Sequence, residues 1–420
     1  MLQNWLEKVP FGSPGLKSSR KSKQQPGTDA RLLGNVNVDE KSQAALVMSK
    51  PRAQLRVGIP RALNIWSTHQ FWLGFFEALG IEKIDFSSDT SEEQTREFGK
   101  GRGTVDCCYP VKCISGHYGE LIARKGHRKI DMLFSPMMYS LPSYLDGHVT
   151  ASLACPRVMA APENIKSGFQ KERDLFAENS ILYATPFVSL GNRPLLSKQL
   201  FEGLRPFLSG LSKAETKQAV TAGFKALDDF NADMRQKSLA IIEGCIRENK
   251  PCILVLARPY HMDPGIGHEI EVDLQTHGYP VLWSQYLPTD PKLLEWMFGE
   301  EIVAGEIKSA FDLSDVWPSS YSANTNEILW GAKVAARLPW IACVVRLSSY
   351  ECGMDQPSFS PVQQIVERSG TLFFSFQDID STKSGGSVKI RVETIAHYLQ
   401  KYSGEIIDKK LAANPRNLSL

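Results

Sequence analysis

The run Cys252-Ile253-Leu254-Val255-Leu256-Ala257, followed at once by Arg258-Pro259-Tyr260-His261, decides the fold. An apolar run without polar alternation describes a strand buried on both faces, as in a parallel sheet covered by helices. Successive parallel strands need a crossover between them, usually helical. Here the sequence predicts a helix over about 267–277 and a further strand at 279–283. Downstream come a helix over 321–338, a buried strand over 340–347, a strand over 371–376 and a helix over 390–402. Upstream, 195–249 reads as helical, with Val220, Phe224, Leu227, Met234, Ile241 and Cys245 spaced to share one apolar face. Before that, a strand over 55–59 is closed by Pro60, and a helix over 68–79 carries Phe71, Trp72, Phe75 and Phe76 up to a stop at Gly80. Further strands are predicted at 83–86, 130–135 and 180–188.

Strands alternating with helices at this spacing predict an α/β fold: two Rossmann-like lobes with mostly parallel sheets, joined by a helical segment, with the candidate site between them. The divisions are 1–54 as a disordered leader, 55–190 as an N-terminal α/β lobe, 191–250 as a helical connector, 251–404 as a C-terminal α/β lobe, and 405–420 as a tail. The lobes echo each other faintly. Val57-Gly58-Ile59-Pro60-Arg61 and Val255-Leu256-Ala257-Arg258-Pro259 each set an Arg and a Pro at the end of a strand.

With 420 residues, 42% of them hydrophobic, the chain is long enough for two such lobes. A net charge of +2 supplies no bulk attraction to nucleic acid or anionic membrane. No apolar run approaches the ~18 residues of a spanning helix. Glu7, Lys8 and Pro10 stand where a signal peptide would be apolar, so a cytoplasmic location is expected. Thiols stay reduced there, and the 8 cysteines read as ligands, reactive thiols or packing rather than as a disulfide framework. The sequence carries no phosphate-binding GxxxxGK[ST], no GxGxxG after a strand, no HExxH and no nucleophile elbow.

Three cysteines stand in polar turns: Cys108 in Asp106-Cys107-Cys108-Tyr109-Pro110-Val111-Lys112, Cys155 before Pro156, and Cys352 in Cys352-Gly353-Met354-Asp355. Pro110 suits a first helical turn, which puts Cys108 where free N–H groups and the helix dipole favour a thiolate. Pro156 restricts Cys155 to an extended backbone. Cys352 precedes a helix predicted to start at Ser360, with Pro361 in the first turn and Gln363 closing a capping box. Three thiols from three loops suit an iron–sulfur cluster or zinc with one position left open. Three unrelated thiols in turns is the competing reading. Cys245, Cys252 and Cys343 belong to apolar faces and read as packing. Cys107 alternates away from Cys108, Cys113 lies within the helix, and the roles of both stay open. Arg258, Tyr260 and His261 follow a buried strand, where open α/β sheets place their ligands; a substrate contact and local ion pairing are both compatible with them.

Taken in order, Ile59-Pro60-Arg61-Ala62-Leu63, Phe71-Trp72, Cys108-Tyr109-Pro110-Val111-Lys112, Arg258-Pro259-Tyr260-His261 and Cys352-Gly353-Met354-Asp355 resemble the acyl-CoA dehydratase activase-related family, akin to 2-hydroxyacyl-CoA dehydratase subunits. The resemblance covers about 55–402. It implies a [4Fe–4S] cluster, or in some relatives a double-cubane type, held between the lobes by Cys108, Cys155 and Cys352. It also implies low-potential electron transfer or reductive radical chemistry. In the dehydratase relatives a separate ATP-hydrolysing activator supplies one electron, and a 2-hydroxyacyl-CoA thioester receives it and loses its hydroxyl. The fused members carry ATPase domains ahead of this region, and the present sequence shows none, so the activator is expected to be a separate chain. Lyase and reductase-component roles are both open, as is assembly into a homo- or hetero-oligomer. The reading from another class is a non-catalytic α/β partner with structural zinc or no metal.

Overall fold

The computed structural model describes residues 45, 47–103, 108–349, 352–379, 385–416 and 418. Most of the expected leader lies outside the described residues, and so does Cys107. Ordered packing begins before the predicted strand, because Val47 is already buried in the N-terminal core and Arg52–Gln54 form a 3-10 turn.

Four strands, β1 (Arg56–Ile59), β2 (Lys83–Phe86), β3 (Met132–Phe134) and β5 (Leu182–Ala184), form a parallel sheet in the order β2-β1-β3-β5. A second parallel sheet runs β10-β9-β7-β8, from β7 (Cys252–Leu256), β8 (Val281–Trp283), β9 (Ile341–Ser349) and β10 (Leu372–Ile379). Numbered within each lobe, both sheets read second, first, third, fourth. The echo between 57–61 and 255–259 is therefore topological, since each segment ends the first strand of its sheet. The chain reverses direction across each sheet beside that strand, and open α/β folds place ligands at the carboxyl ends there.

The strand predicted at 130–135 is β3 alone and stops before Pro136, while the one predicted at 180–188 divides in two at Pro186. Pro136 and Pro186 lack the N–H that a ladder requires, and beyond them β4 (Met137–Ser140) and β6 (Phe187–Ser189) pair as a separate parallel ribbon.

Helix α1 (Ile65–Ala78) seats Phe71, Trp72, Phe75 and Phe76, all fully buried, against Phe134 and Phe224. Helices α2 (Tyr109–Ala123) and α3 (Pro156–Gln170) follow in the same lobe. The predicted run at 195–249 is two helices, α4 (Arg193–Leu204) and α5 (Lys213–Glu248), parted where Ser212 and Glu215 close a capping box. Its apolar face also differs. Val220, Phe224 and Leu227 enter the N-terminal core, whereas Ile242 and Cys245 enter the C-terminal one, and Met234 and Ile241 are only half-buried. A 36-residue helix drifts off a fixed spacing, and this one changes partners midway.

In the second lobe α6 (Ile270–Thr276) starts later than predicted, because His268 and Glu269 take left-handed backbone (φ 60° and 55°). Then come α7 (Pro291–Val303), α8 (Ala323–Arg337), α9 (Gln356–Arg368) and α10 (Gly386–Ala413). Helix α9 does not start at Ser360. Asp355 is its N-cap, Pro357 lies in the first turn, where a proline costs nothing, and Pro361 falls inside the helix. Helix α10 continues into the expected tail: Ile406 and Ile407 are buried, and Lys410 Nζ donates to the carbonyls of Ala335, Leu338 and Ile341 at 2.6, 3.3 and 2.9 Å.

The carboxyl edges of the two sheets meet. Asn64, after β1, donates to Asn324 Oδ1 at 3.2 Å, and the Thr90 hydroxyl, after β2, donates to Asp263 Oδ2 at 2.8 Å. Among the described residues no helix is long and apolar enough to cross a membrane.

Candidate functional site

Each of the three singled-out cysteines stands at the entrance to a helix. Cys108 is the N-cap of α2, with Pro110 in the first turn, and Cys155 is the N-cap of α3, with Pro156 opening it. Cys155 has the extended backbone that its proline dictates (φ −60°, ψ 131°). The start of α9 at Gln356 brings Cys352 much nearer a helix than the sequence indicated, and its carbonyl accepts the N–H groups of Asp355 and Gln356 at 3.1 Å each. All three are buried.

Two buried residues just past the end of β7 interact electrostatically with them. Arg258 lies within electrostatic reach of Cys155 and Cys352, and Tyr260 within reach of Cys352 and Cys108. Arg258 is 1% exposed; its Nε donates to Asp355 Oδ1 at 3.0 Å and its Nη2 to Thr325 Oγ1 at 3.3 Å. Arg346, fully buried on β9, also pairs with Asp355 Oδ1 at 3.2 Å and lies over the Phe359 ring. The Ser348 hydroxyl donates to the other carboxylate oxygen at 2.9 Å.

Two guanidinium groups share one carboxylate, so this buried trio carries one uncompensated positive charge, and Arg258 Nη1 has no hydrogen-bond partner. A buried unpaired charge is costly. The arrangement therefore suits an anion beside the thiols.

The protonation states follow from the same packing. Burial opposes charge on Asp355, yet Arg258 and Arg346 outweigh it and hold the carboxyl below its usual range. Burial likewise opposes charge on Arg258, and there the attraction of Asp355, Tyr260 and the nearby thiols prevails. Burial, aided by Asp355, pushes the Cys352 thiol up, while Arg258 and the N–H groups of Asp355 and Met354 act against this. Burial raises the Tyr260 hydroxyl well above its ordinary value. Burial also lowers His261 to about 4, so its ring is neutral. Nδ1–H of His261 donates to the Arg258 carbonyl at 3.2 Å, leaving Nε2 to accept from Ser349 Oγ at 3.4 Å. His261 thus fixes the turn, while Arg258 and Tyr260 lie within electrostatic reach of the thiols. Cys113, buried in α2, is raised to about 12 by burial. Cys245, Cys252 and Cys343 are packed in the cores.

Some of the site escaped the sequence reading. Asp355 was visible only as the end of a motif, and Thr325 carried no signal. Arg346 was legible in principle, as the one charge inside the apolar run at 340–347. The glycines of Gly265-Ile266-Gly267 are a short signal, yet Gly265 lets the lobes approach each other and Gly267 lets its own turn close. A Cβ on Gly265 would stand 2.0 Å from the Thr90 carbonyl oxygen, and one on Gly267 would stand 1.9 Å from that of His261. The Tyr109 hydroxyl, one residue after Cys108, donates to the Gly265 carbonyl at 3.0 Å.

Among the described residues, no group of three or more His, Cys, Asp and Glu side chains is placed to hold a metal ion. No curated protein matches the chain. A family model described as "CoA enzyme activase uncharacterised domain" matches residues 56–287, from the first strand of one sheet to the end of the turn after β8 in the other. The match spans more than half of the chain, and the protein belongs to this CoA enzyme activase-related family.

Proposed function

We propose that this CoA enzyme activase-related protein holds a [4Fe–4S]-type cluster on Cys108, Cys155 and Cys352 and serves low-potential electron transfer or reductive radical chemistry. The observation that carries the reading is Arg258. It is a buried cation with an unpartnered Nη1, lying within reach of Cys155 and Cys352 and next but one to Tyr260, which reaches Cys108. A cluster on three thiolates is anionic, so it supplies the charge that Arg258 and Arg346 hold in excess over Asp355. When bound, the group supplies one-electron chemistry, with an open iron for a substrate oxygen.

The protein's own contribution is electrostatic and steric. Helix entrances at α2, α3 and α9 favour negative charge on the thiols. Arg258 stabilises that charge, Asp355 fixes both guanidinium groups, and His261 holds the turn after β7. Tyr260, kept protonated by burial, has a hydroxyl to offer as a hydrogen-bond donor. A separate ATP-hydrolysing activator as electron source and an acyl-CoA thioester as substrate are the partners this reading assigns.

Anaerobic purification followed by iron and acid-labile sulfide analysis tests it. Iron and sulfide in equal amounts, with broad visible absorption, are the expected result. Stoichiometric zinc without colour, or no metal after reconstitution, overturns it.

A further inference from the structure

A cavity of about 330 Å³ opens between the lobes, beside α5. Asn324 and Glu327, three residues apart on α8, face it, while Thr325 on the same turn reaches Arg258. None of the three cysteines lines it, nor does Arg258. The size falls at the small end of ligand pockets, which span roughly 300–1,000 Å³.

Two polar groups in its wall have unmet bonding capacity. Gln285, 7% exposed, gives its amide N–H to the Ala257 carbonyl and leaves Oε1 without a donor. Arg235 lies with its guanidinium 4.9 Å from the centroid of the Tyr144 ring, and its buried Nε has no acceptor. The amino end of α8 adds a favourable field for an anion. Glu327, which accepts the Ser143 hydroxyl at 3.3 Å, is pushed up to about 7 by burial, so near neutrality much of it is uncharged and does not repel a carboxylate. Leu141, Leu227 and Phe224 supply an apolar wall. An occupant that satisfies these groups brings an anionic oxygen, a hydrogen-bond donor and a short hydrocarbon chain.

We propose that this cavity binds a small carboxylic acid carrying a hydroxyl or amide donor, its carboxylate taken by Arg235 and its donor by Gln285 Oε1. The site is separate from the thiols and does not depend on a cluster being present.

Calorimetric titration of the full chain with 3-hydroxybutyrate, butyrate and 3-hydroxybutyramide tests it. The hydroxy acid is expected to bind with a Kd of about 1 mM or tighter. Butyrate, lacking the donor, and the amide, lacking the charge, are each expected to bind about 10-fold more weakly. Arg235→Met removes the preference for the acid over the amide, and Gln285→Leu removes the preference for the hydroxy acid over butyrate. Lys225→Ala, fully exposed on the same helix, changes neither. Thermal melts establish that each variant is folded; if Arg235→Met does not fold, the Gln285→Leu comparison alone decides. No saturable binding of the hydroxy acid, or preferences unchanged in a folded variant, overturns the proposal.

Discussion

Arg61 leaves β1 much as Arg258 leaves β7, each beside a proline at the carboxyl edge of the first strand of its sheet. Their surroundings differ. The Arg61 side chain is 34% exposed, pairs with the half-exposed Asp89 and lies over Trp66. Arg258 is sealed from water, shares its carboxylate with a second arginine, and keeps one nitrogen unpartnered near the thiols. One topological position, used twice, yields a surface ion pair in one lobe and an anion-seeking charge in the other. The lesson is that sheet topology nominates a place, and burial with charge balance decides whether it becomes a site.

The largest predicted effect breaks the buried side of this comparison. Asp355→Asn leaves Arg258 and Arg346 without a counter-charge and is expected to cost about 3–5 kcal/mol in urea unfolding. The same change at Asp89 costs less than about 1 kcal/mol, since exposed pairs contribute little. The buried carboxylate also gives the fold a pH dependence. With its folded pKa depressed, Asp355 contributes stability that is present above the unfolded value of about 3.9 and is lost as pH falls toward the folded one. The wild-type protein therefore has an acid limb below about pH 4 that Asp355→Asn flattens.

Glu327 behaves with the opposite sign. Its folded pKa of about 7 lies above the unfolded value, so the folded state keeps a proton that the unfolded chain releases. Stability on this account declines as pH rises from about 4.3, and the decline levels off above about 7. Glu327→Gln is expected to stabilise by something on the order of 2 kcal/mol at pH 8 and to change little at pH 4, measured by thermal melts across that range. A smaller effect, about 1 kcal/mol, is expected for Thr325→Val, which removes one hydroxyl from Arg258. Arg61→Ala closes the series at a few tenths of a kcal/mol. A cost for Arg61→Ala as large as that of Asp355→Asn would dissolve the distinction between the two ends.

Much of this was legible in the chain. The unbroken apolar run at 252–257 announced a parallel sheet, and Pro110 marked the helix entrance beside Cys108, whereas Pro156 was legible only as holding Cys155 extended and the helix it opens was not foreseen. What stayed hidden depended on long-range packing. The pairing of Asp355 with Arg258 spans 97 residues of sequence, and local pattern has no term for it. The start of α9 was misplaced because Ser360-Pro361 mimics a helix start, while the actual one, Asp355 with Pro357, sits next to a turn that reads as loop. Pro136 closed the predicted strand at 130–135, whereas the strand predicted over 180–188 ran through Pro186, and the separate ribbon of β4 and β6 is visible only once the strands are paired.

The central claim is that Cys108, Cys155 and Cys352 serve one inorganic centre at the edge where the sheets meet. The most direct measurement is iron and sulfide content after anaerobic reconstitution of the three single Cys→Ala variants, with Cys245→Ala as a buried control. Sharp loss in each of the three and wild-type content in the control is the predicted result. Wild-type content in all four, or equal loss in all four, would contradict it.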